Sequence, residues 1–295
     1  MRLAIVGAKG QVGWELTRRA PMFGHEVLAW DVDQLDITDA AAVDRVLAAS
    51  GGVNAVINAA AYTAVDKAEQ EAERAFAVNR DGPVHLATAC ARLGIPLLHI
   101  STDYVFDGTK IDPYTEDDPA APLGVYGQSK WEGDEAVRRL LPRHLILRVS
   151  WVFGIHGHNF VKTILRLAQE REELRVVADQ HGCPTYAGDI ADVLLELAGR
   201  VGEIDANNAW GIYHYCGEPA TTWHGFASAI VEKAEMDEKL KVRTVTAITT
   251  ADYPTPAVRP TNSVLDCARL AARFGIRPAS WREGLATMLF ALHGR

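Results

Sequence analysis

The chain has 295 residues, of which 48% are hydrophobic and 23% are charged, and its formal net charge at pH 7 is −8. This length suffices for a large buried core, and this composition excludes a disordered or collagen-like protein. The acidic balance argues against a broad surface for nucleic acid or for an anionic membrane.

The first half of the chain alternates strand patterns with helical patterns. Strands are predicted over residues 3–6, 26–30, 53–58, 96–100 and 145–149, and helices over residues 12–20, 40–49, 66–78, 82–93 and 126–140. Such alternation is typical of right-handed βαβ crossovers, which place helices on both faces of a parallel sheet. We predict an α/β fold with a Rossmann-type doubly wound parallel sheet and a smaller C-terminal substrate-binding lobe.

The second half has a less regular pattern. Helices are predicted over residues 160–170, 187–198 and 223–234, and strands over residues 174–178 and 213–215. No clear linker separates the two halves. We therefore predict a dinucleotide-binding domain over residues 1–153 and a substrate-binding lobe over residues 154–295 that is interleaved with it.

The cysteines and the N-terminus indicate the compartment. Cys90, Cys183, Cys216 and Cys267 are far apart in the sequence and form no C-x-x-C pair, so neither a zinc site nor a disulfide framework is expected. The first apolar run is too short for a signal peptide, and no run approaches the roughly 20 residues of a transmembrane helix. These features predict a cytoplasmic protein.

A glycine-rich turn follows the first predicted strand and opens the first helix. Gly7, Gly10 and Gly13 have the spacing G-x-x-G-x-x-G. Glycines let a pyrophosphate approach the backbone, and the N–H groups at a helix N-terminus attract it. The turn therefore predicts a dinucleotide site.

Acidic residues after the second predicted strand bear on the choice of cofactor. Asp31 is placed to bind the ribose hydroxyls of adenosine, and no arginine adjoins it, which favours NADH over NADPH. The alternative is that Asp31 only forms a turn. Asp36 and Ile37 are candidates to flank the adenine.

A tyrosine and a lysine carry the predicted chemistry. Tyr126 and Lys130 are four residues apart on one helix face, and Thr102 ends the fourth predicted strand. A free tyrosine has a pKa of about 10, and a nearby ammonium lowers it; a shift of about three units takes about 4 kcal/mol. We expect Lys130 and a positive nicotinamide ring to supply this, and Thr102 to bond the substrate oxygen or the tyrosine hydroxyl.

Together these residues resemble the extended short-chain dehydrogenase/reductase superfamily. Further segments resemble one family within it, the dTDP-4-dehydrorhamnose reductases, over almost the whole chain: residues 58–69, 101–108, 148–160, 179–185, 221–224 and 253–263. The resemblance implies that NADPH or NADH reduces the carbon-4 ketone of a dTDP-sugar, dTDP-4-dehydro-β-L-rhamnose. It leaves the cofactor preference inferred from Asp31 open, because the family accepts both cofactors.

The resemblance also implies roles for particular residues. Tyr126 matches the proton donor, Lys130 its partner and a cofactor contact, and Thr102 the residue that tunes the tyrosine. The remaining matches are the phosphate turn at Gly10, Gln11 and Val12, the adenosine contacts Asp31, Asp36 and Ile37, the mid-cofactor wall Ala61, Tyr62 and Thr63, and the sugar-nucleotide contacts Thr102, Asp103 and Trp151.

One position departs from the family pattern. Some bacterial members dimerise around magnesium held by glutamates, and Glu15 matches one of these. The other position is Gly188, and the adjacent Asp189 lies about 100° around the helix. Because glycine has no ligating side chain, we predict no required metal and a monomer or weak homodimer. His156 and His158 are not expected to bind a metal, since no acid or cysteine pair is near them in the sequence.

Some residues keep two interpretations. Asn79 either organises the active site or interrupts a helix, Trp151 either packs on a sugar ring or belongs to the core, and Arg259 either binds a diphosphate or forms a surface salt bridge. Two rival functions also remain. One is reduction of a different dTDP-keto-sugar, and the other is a non-catalytic regulatory subunit resembling the methionine adenosyltransferase β subunit, against which the complete catalytic set argues.

Overall fold

Secondary structure follows the predicted alternation closely up to residue 149, in a computed structural model that describes residues 1–236, 238–292 and 294. The strands are β1 (Arg2–Val6), β2 (Glu26–Trp30), β3 (Ala55–Asn58), β4 (Leu97–Thr102), β5 (His144–Val149), β6 (Val152–Phe153), β7 (Glu173–Val177), β8 (His181–Gly182), β9 (Thr185–Tyr186), β10 (Gly211–His214), β11 (Thr221–Thr222) and β12 (Thr244–Ile248). The helices are α1 (Gln11–Arg19), α2 (Ala40–Ala49), α3 (Val65–Ala68), α4 (Ala72–Phe76), α5 (Gly82–Leu93), α6 (Val125–Leu140), α7 (Phe160–Glu170), α8 (Ala187–Gly199), α9 (Val201–Ala206), α10 (Trp223–Glu235), α11 (Ala268–Phe274) and α12 (Trp281–Leu292).

The central sheet confirms the predicted fold class. Within the described residues its strands run in the order β10-β5-β4-β3-β1-β2, and every pairing in it is parallel. The strand order reverses at β1, which pairs with both β2 and β3. In open parallel sheets the ligand crevice lies at the carboxyl ends of the strands where the order reverses. The glycine turn after β1 lies at this point.

Both faces of the sheet are covered by helices. On β1, Leu3 and Ile5 point into the core shared with α1 and α8, whereas Ala4 and Val6 point into the core shared with α2, α5 and α6. Successive strand residues face opposite sides, so a strand that is buried on both faces must be apolar throughout. This explains why the first strand has no polar alternation.

Residues beyond 153 contribute to two cores. β10 extends the central sheet beside β5, and α8 packs on α1. A separate core joins Phe153, Phe226 and Trp281 and includes residues of α7, α10 and α12. The chain after residue 153 thus contributes to the central sheet as well as to its own core, and the boundary at residue 153 stays a prediction. The described residues include no helix long and apolar enough to cross a membrane.

The segment predicted as one helix over residues 66–78 is instead divided. It forms α3, α4 and a π-helical turn, Ala77–Asp81, that leads into α5. At the start of α4 the Glu71 carboxylate accepts from the Tyr62 hydroxyl (2.9 Å), and the π turn carries the buried Asn79. π turns of this kind occur frequently at functional sites. The two-residue strands β6, β8, β9 and β11 were not predicted, since they are too short for a periodic pattern.

Candidate active site

The glycine turn is closely packed against the strand beside it. Gly7 has φ +79°, and a Cβ there would lie 2.6 Å from the carbonyl carbon of Ala59. A Cβ at Gly13 would overlap the Gly7 carbonyl oxygen, to which Gly10 N–H donates at 3.0 Å. The α1 helix begins with no side-chain cap, so its first N–H groups have no side-chain acceptor. Such N–H groups bind anions such as a pyrophosphate.

A cavity of about 340 Å³ lies at this crevice. The predicted cofactor residues that line it are Gly7, Gly10, Asp31, Asp36, Ile37, Ala61 and Tyr62. The other residues predicted to contact the cofactor do not line it: Gln11, Val12, Gly13, Thr63, Tyr126 and Lys130. Val12 is buried in the core, and the Gln11 side chain accepts from Asn159 (3.0 Å). Thr63 directs its carbonyl to Val65 N–H (2.9 Å), so it helps to begin α3.

Two cationic side chains at this cavity were not identified as candidates from the sequence. Lys9 and Arg74 line it together with Asp31. The carboxylate of Asp31 accepts from Lys9 N–H (2.7 Å) and Val32 N–H (2.9 Å), and Lys9 Nζ pairs with Asp33 (2.8 Å). Asp31 therefore both forms the turn and faces the cavity. Because cations lie beside it, its position does not by itself select NADH.

The predicted catalytic tyrosine lies in a narrow slot at the start of α6. The ring of Tyr126 meets that of Tyr104 edge-on at 6.0 Å between centroids, and residues 257, 258 and 260 form the opposite wall. Burial raises the pKa of Tyr126 to about 12, and the neighbouring Thr102 hydroxyl opposes this. Tyr126 therefore keeps its proton at neutral pH.

The predicted partner, Lys130, is 2% exposed. Its Nζ donates to the Ile100 carbonyl at 2.6 Å, and burial lowers the pKa of Lys130 to about 8. The sequence predicted that this ammonium and a positive nicotinamide ring together would lower the pKa of Tyr126. In the protein alone, burial of the phenol raises that pKa, and the Lys130 ammonium lies against a strand carbonyl. A protonated phenol is the form that a reduction needs, since it can donate to a ketone oxygen.

Thr102 and Asp103 lie at the carboxyl end of β4. The Thr102 hydroxyl accepts from Tyr104 N–H (3.2 Å) and donates to Asp103 (3.1 Å). Both side chains are buried, and burial raises the pKa of Asp103 to about 7 against hydrogen bonds from Ser263 and Thr102. The pair can present a hydroxyl and a carboxyl group near Tyr126.

Trp151 has an unusual backbone conformation. Its φ of +44° lies in the left-handed region, which bulky residues rarely adopt. Its ring stacks on Trp223, with centroids 3.6 Å apart, and Gly182 leaves room for it, because a Cβ there would lie 2.6 Å from the Trp151 Nε1. One ring face is therefore packed as in a core, and contact with a sugar stays a prediction.

Arg259 forms an ion pair on a partly exposed surface. Its guanidinium donates to both carboxylate oxygens of Asp66, at 3.0 and 2.8 Å. The structure thus favours the salt-bridge interpretation over the diphosphate contact. His156 contacts the glycine turn through the Lys9 carbonyl (2.9 Å), and its ring stacks on Trp14 at 5.5 Å.

Asn79 joins the cofactor wall to α6. Its side chain accepts from Tyr62 N–H (2.8 Å) and donates to the Tyr62 carbonyl (3.0 Å) and to the Ser129 hydroxyl (3.0 Å). Asn79 is 1% exposed, so these bonds have no competing water. The geometry supports an organising role for Asn79.

We expect Asn79→Ala to lower the free energy of unfolding by about 2 kcal/mol, because it leaves the partly buried N–H of Tyr62 without an acceptor and removes the buried bond to Ser129. It should also weaken NADPH binding, which fluorescence titration measures beside urea unfolding. The exposed Asn207, which bonds only the Glu203 carbonyl (3.0 Å), provides the control Asn207→Ala. Equal stability of the two variants would contradict the organising role.

The Arg19 guanidinium lies between Glu15 and Gly188, the two positions that were compared with a magnesium site from the sequence. The Glu15 carboxylate is fully buried and accepts from Arg18 and from Arg19, each at 2.8 Å. Arg19 also pairs with Asp192 at 2.6 Å. A Cβ at Gly188 would overlap Nη2 of Arg19, so the missing side chain makes room for this guanidinium. These residues do not fit a magnesium site, and the described residues contain no group of three or more His, Cys, Asp or Glu that could hold a metal.

We expect dialysis against EDTA to change neither turnover nor melting temperature, because Arg19 already neutralises Glu15. By contrast, Arg19→Met should lower the free energy of unfolding by about 3 kcal/mol, since it removes the guanidinium that joins Glu15 to Asp192 and leaves the half-exposed Arg18 as the cation paired with the buried Glu15 carboxylate. The control Arg166→Met breaks an exposed pair with Glu170 and should cost less than about 1 kcal/mol. Loss of turnover in EDTA that magnesium restores would contradict this prediction.

The whole chain is similar to proteins of one known family. A family model described as the RmlD substrate binding domain matches residues 1–293. A dTDP-4-dehydrorhamnose reductase of Aggregatibacter actinomycetemcomitans is 49% identical over 96% of this chain and 97% of its own. A solved dTDP-4-dehydrorhamnose reductase of Clostridium acetobutylicum superposes with a TM-score of 0.91 at 37% identity, covering 99% of this chain and 100% of its own. One of Bacillus anthracis, solved in complex with NADP, has a TM-score of 0.91 at 35% identity, covering 98% and 99%.

Proposed function

The chain belongs to the family of the RmlD substrate binding domain, as its dTDP-4-dehydrorhamnose reductase relatives do, and on that premise we propose that it reduces the carbon-4 ketone of dTDP-4-dehydro-β-L-rhamnose to dTDP-β-L-rhamnose. The reaction uses NADPH or NADH. Tyr126 is the proton donor, Lys130 its partner, and Thr102 tunes the tyrosine. The expected cytoplasmic location and the monomeric or weakly dimeric state stay predictions.

The protonated Tyr126 at the carboxyl edge of the sheet carries the proposal. In the reduction the ketone carbon gains a hydride and the ketone oxygen gains the phenolic proton, which leaves a phenolate on α6. A bound nicotinamide cofactor supplies that hydride. Burial, which keeps the pKa of Tyr126 at about 12, holds the proton in place until a substrate oxygen accepts it.

The cofactor is proposed to occupy the crevice cavity. The backbone of the glycine turn and the open N–H groups of α1 suit the pyrophosphate, and Asp31 suits the ribose hydroxyls. Lys9 and Arg74 add positive charge to the same cavity, which suits the 2′-phosphate of NADPH. The combination supports use of both cofactors.

The sugar nucleotide is proposed to lie beyond β4 and β5. Thr102 and Asp103 end β4, and Trp151 follows β5, so their side chains leave the same edge of the sheet as Tyr126. The buried hydroxyl and carboxyl groups suit the hydroxyls of a hexose, and the indole suits its apolar face.

The test measures oxidation of NADPH and of NADH with enzymatically generated dTDP-4-dehydro-L-rhamnose as the acceptor. We expect turnover with both cofactors and formation of dTDP-rhamnose. Turnover only with a different dTDP-keto-sugar would replace the substrate and keep the chemistry. No turnover with any keto-sugar would reject the enzyme and favour a regulatory subunit, for which co-purification with a partner would be sought.

A further inference from the structure

A buried polar cluster lies beneath α6, and the proposed reaction so far uses only one of its members. His99 on β4 and Asp134 on α6 are both 0% exposed, and Lys130 lies between them and the active site. His99 Nε2 is 3.5 Å from Lys130 Nζ and 3.7 Å from Asp134 Oδ1. Lys130 and Asp134 are four residues apart, so both point from one face of α6 to this imidazole.

The partner of the second ring nitrogen fixes the tautomer of His99. Asn58 Nδ2 lies 3.0 Å from His99 Nδ1, and the Asn58 carbonyl oxygen accepts from Ala60 N–H at 3.0 Å. The second bond sets which end of the amide faces His99, so the amide N–H donates and Nδ1 accepts. Burial lowers the pKa of His99, which keeps the ring neutral. The single ring proton is therefore on Nε2.

Asp134 presents one oxygen to this proton. Its Oδ2 accepts from Ser101 (2.8 Å) and from Arg148 (3.4 Å), whereas its Oδ1 has no hydrogen-bond partner among the described residues. The His99 Nε2–H lies 3.7 Å from this oxygen. Such a carboxylate–imidazole contact orients the ring and places negative charge beside its Nε2.

We propose that Asp134 and His99 are positioning residues for Lys130. Asn58 holds the imidazole with its proton on Nε2, the nitrogen that both Lys130 Nζ and Asp134 Oδ1 approach, and Asp134 supplies there the negative charge that keeps Lys130 cationic on the Ile100 carbonyl. The inference rests on the proposed function in assigning Lys130 to the reaction, but the charge state of Lys130 can be measured without turnover.

The pKa of Lys130 lies close to neutral pH, so a small shift changes its charge. Burial lowers the pKa of Lys130 to about 8, and Asp134 is the group that raises it again. The other titratable and charged groups around the cluster are Tyr126 on α6, Asp103 after β4, and His144 and Arg148 on β5. Asp103 and Asp134 raise the pKa of Tyr126. Burial raises the pKa of Asp134, and the charges of Arg148 and Lys130 oppose this.

The direct test titrates Lys130 in the full chain by NMR of lysine labelled with ¹³C at Cε. The sequence contains eight lysines, so the resonance lost in Lys130→Arg can be assigned. We expect it to titrate near pH 8 in the unmodified protein. In Asp134→Asn, which keeps the shape and removes the charge, we expect the midpoint to fall by about one unit.

Two substitutions at His99 distinguish the effect of its N–H group from the effect of its side-chain volume. His99→Leu removes the N–H that faces the Asp134 carboxylate, so Asp134 should hold a proton more readily and the midpoint of Lys130 should fall as it does in Asp134→Asn. His99→Gln can restore an N–H near the position of Nε2 and should return the midpoint toward that of the unmodified protein. The control His214→Leu removes an equally buried imidazole from β10 of the same sheet and should leave the midpoint unchanged.

Turnover provides the second measurement. A one-unit fall in the midpoint shifts the basic limb of kcat to lower pH, so kcat at pH 8 should fall about fivefold and recover at pH 6, with KM unchanged. Midpoints in Asp134→Asn and His99→Leu within about 0.3 units of the unmodified protein would overturn the proposal. Shifted midpoints in a protein without reductase activity would uphold the positioning and reject the proposed function.

Discussion

Tyr126→Phe should lower kcat for keto-sugar reduction by about a thousandfold, because it removes the group proposed to protonate the ketone oxygen. The phenyl ring keeps the edge-on packing against Tyr104, at 6.0 Å between centroids, so the fold and the slot should persist. NADPH affinity, measured by fluorescence titration, should change by less than about threefold. Oxidation of NADPH under saturating keto-sugar measures the effect.

A neighbouring hydroxyl provides the matched control. Tyr104 lines the same slot, and its hydroxyl faces Arg259. Burial raises the pKa of Tyr104 as it does that of Tyr126. Tyr104→Phe should therefore cost less than about tenfold in kcat. If Tyr126→Phe retains a tenth or more of the original kcat, the proton comes from another group, and the buried Asp103 would be the next candidate.

Gly13→Ala should weaken NADPH binding by about a hundredfold or more. A Cβ at this position would overlap the Gly7 carbonyl oxygen and lie 2.8 Å from the Ala8 Cα. Both atoms belong to the backbone of the turn, so no side chain can move aside, and the turn itself must shift. Because the turn is proposed to hold the pyrophosphate, this shift should remove the approach that the glycines permit.

A glycine whose surroundings leave room for a Cβ provides the control. It distinguishes the loss of NADPH affinity expected at Gly13 from any general effect of a glycine-to-alanine substitution. Gly202 lies in the helix α9, and a Cβ there would meet no atom within 4 Å. Gly202→Ala should leave NADPH affinity unchanged and slightly raise the melting temperature, since alanine is the better helix former. Unchanged affinity in a folded Gly13→Ala protein would show that the pyrophosphate does not depend on this turn.

The central sheet could be predicted because its signals are local. The strand over Glu26–Trp30 and the helices over Ala40–Ala49, Gly82–Leu93 and Phe160–Glu170 were predicted to the residue. Their periodicity, glycines and polar boundaries lie within each segment. By contrast, β12, α11 and α12 were not predicted, because their limits depend on packing against distant partners such as β7 and α10.

The candidate site, too, could be predicted from the sequence only in part. The sequence placed Tyr126 and Lys130 on one helix face and Thr102 at a strand end, since spacing alone decides these. It also contained an unused signal: Asp134 follows Lys130 by one more turn on that face, and His99 is a polar residue inside an apolar strand. Their contact was not predictable, because no spacing tells which face of β4 meets which turn of α6.

The sequence by itself therefore determined the order of strands and helices, the glycine turn, and the spacing of tyrosine and lysine, all of which depend on neighbours along the chain. Only the tertiary structure decided that the pKa of Tyr126 rises, that Arg19 occupies the space left by Gly188, and that His99 meets Lys130. Each of these depends on desolvation or on contact between distant segments. Free energies of that kind are fixed by three-dimensional packing and not by residue type or spacing.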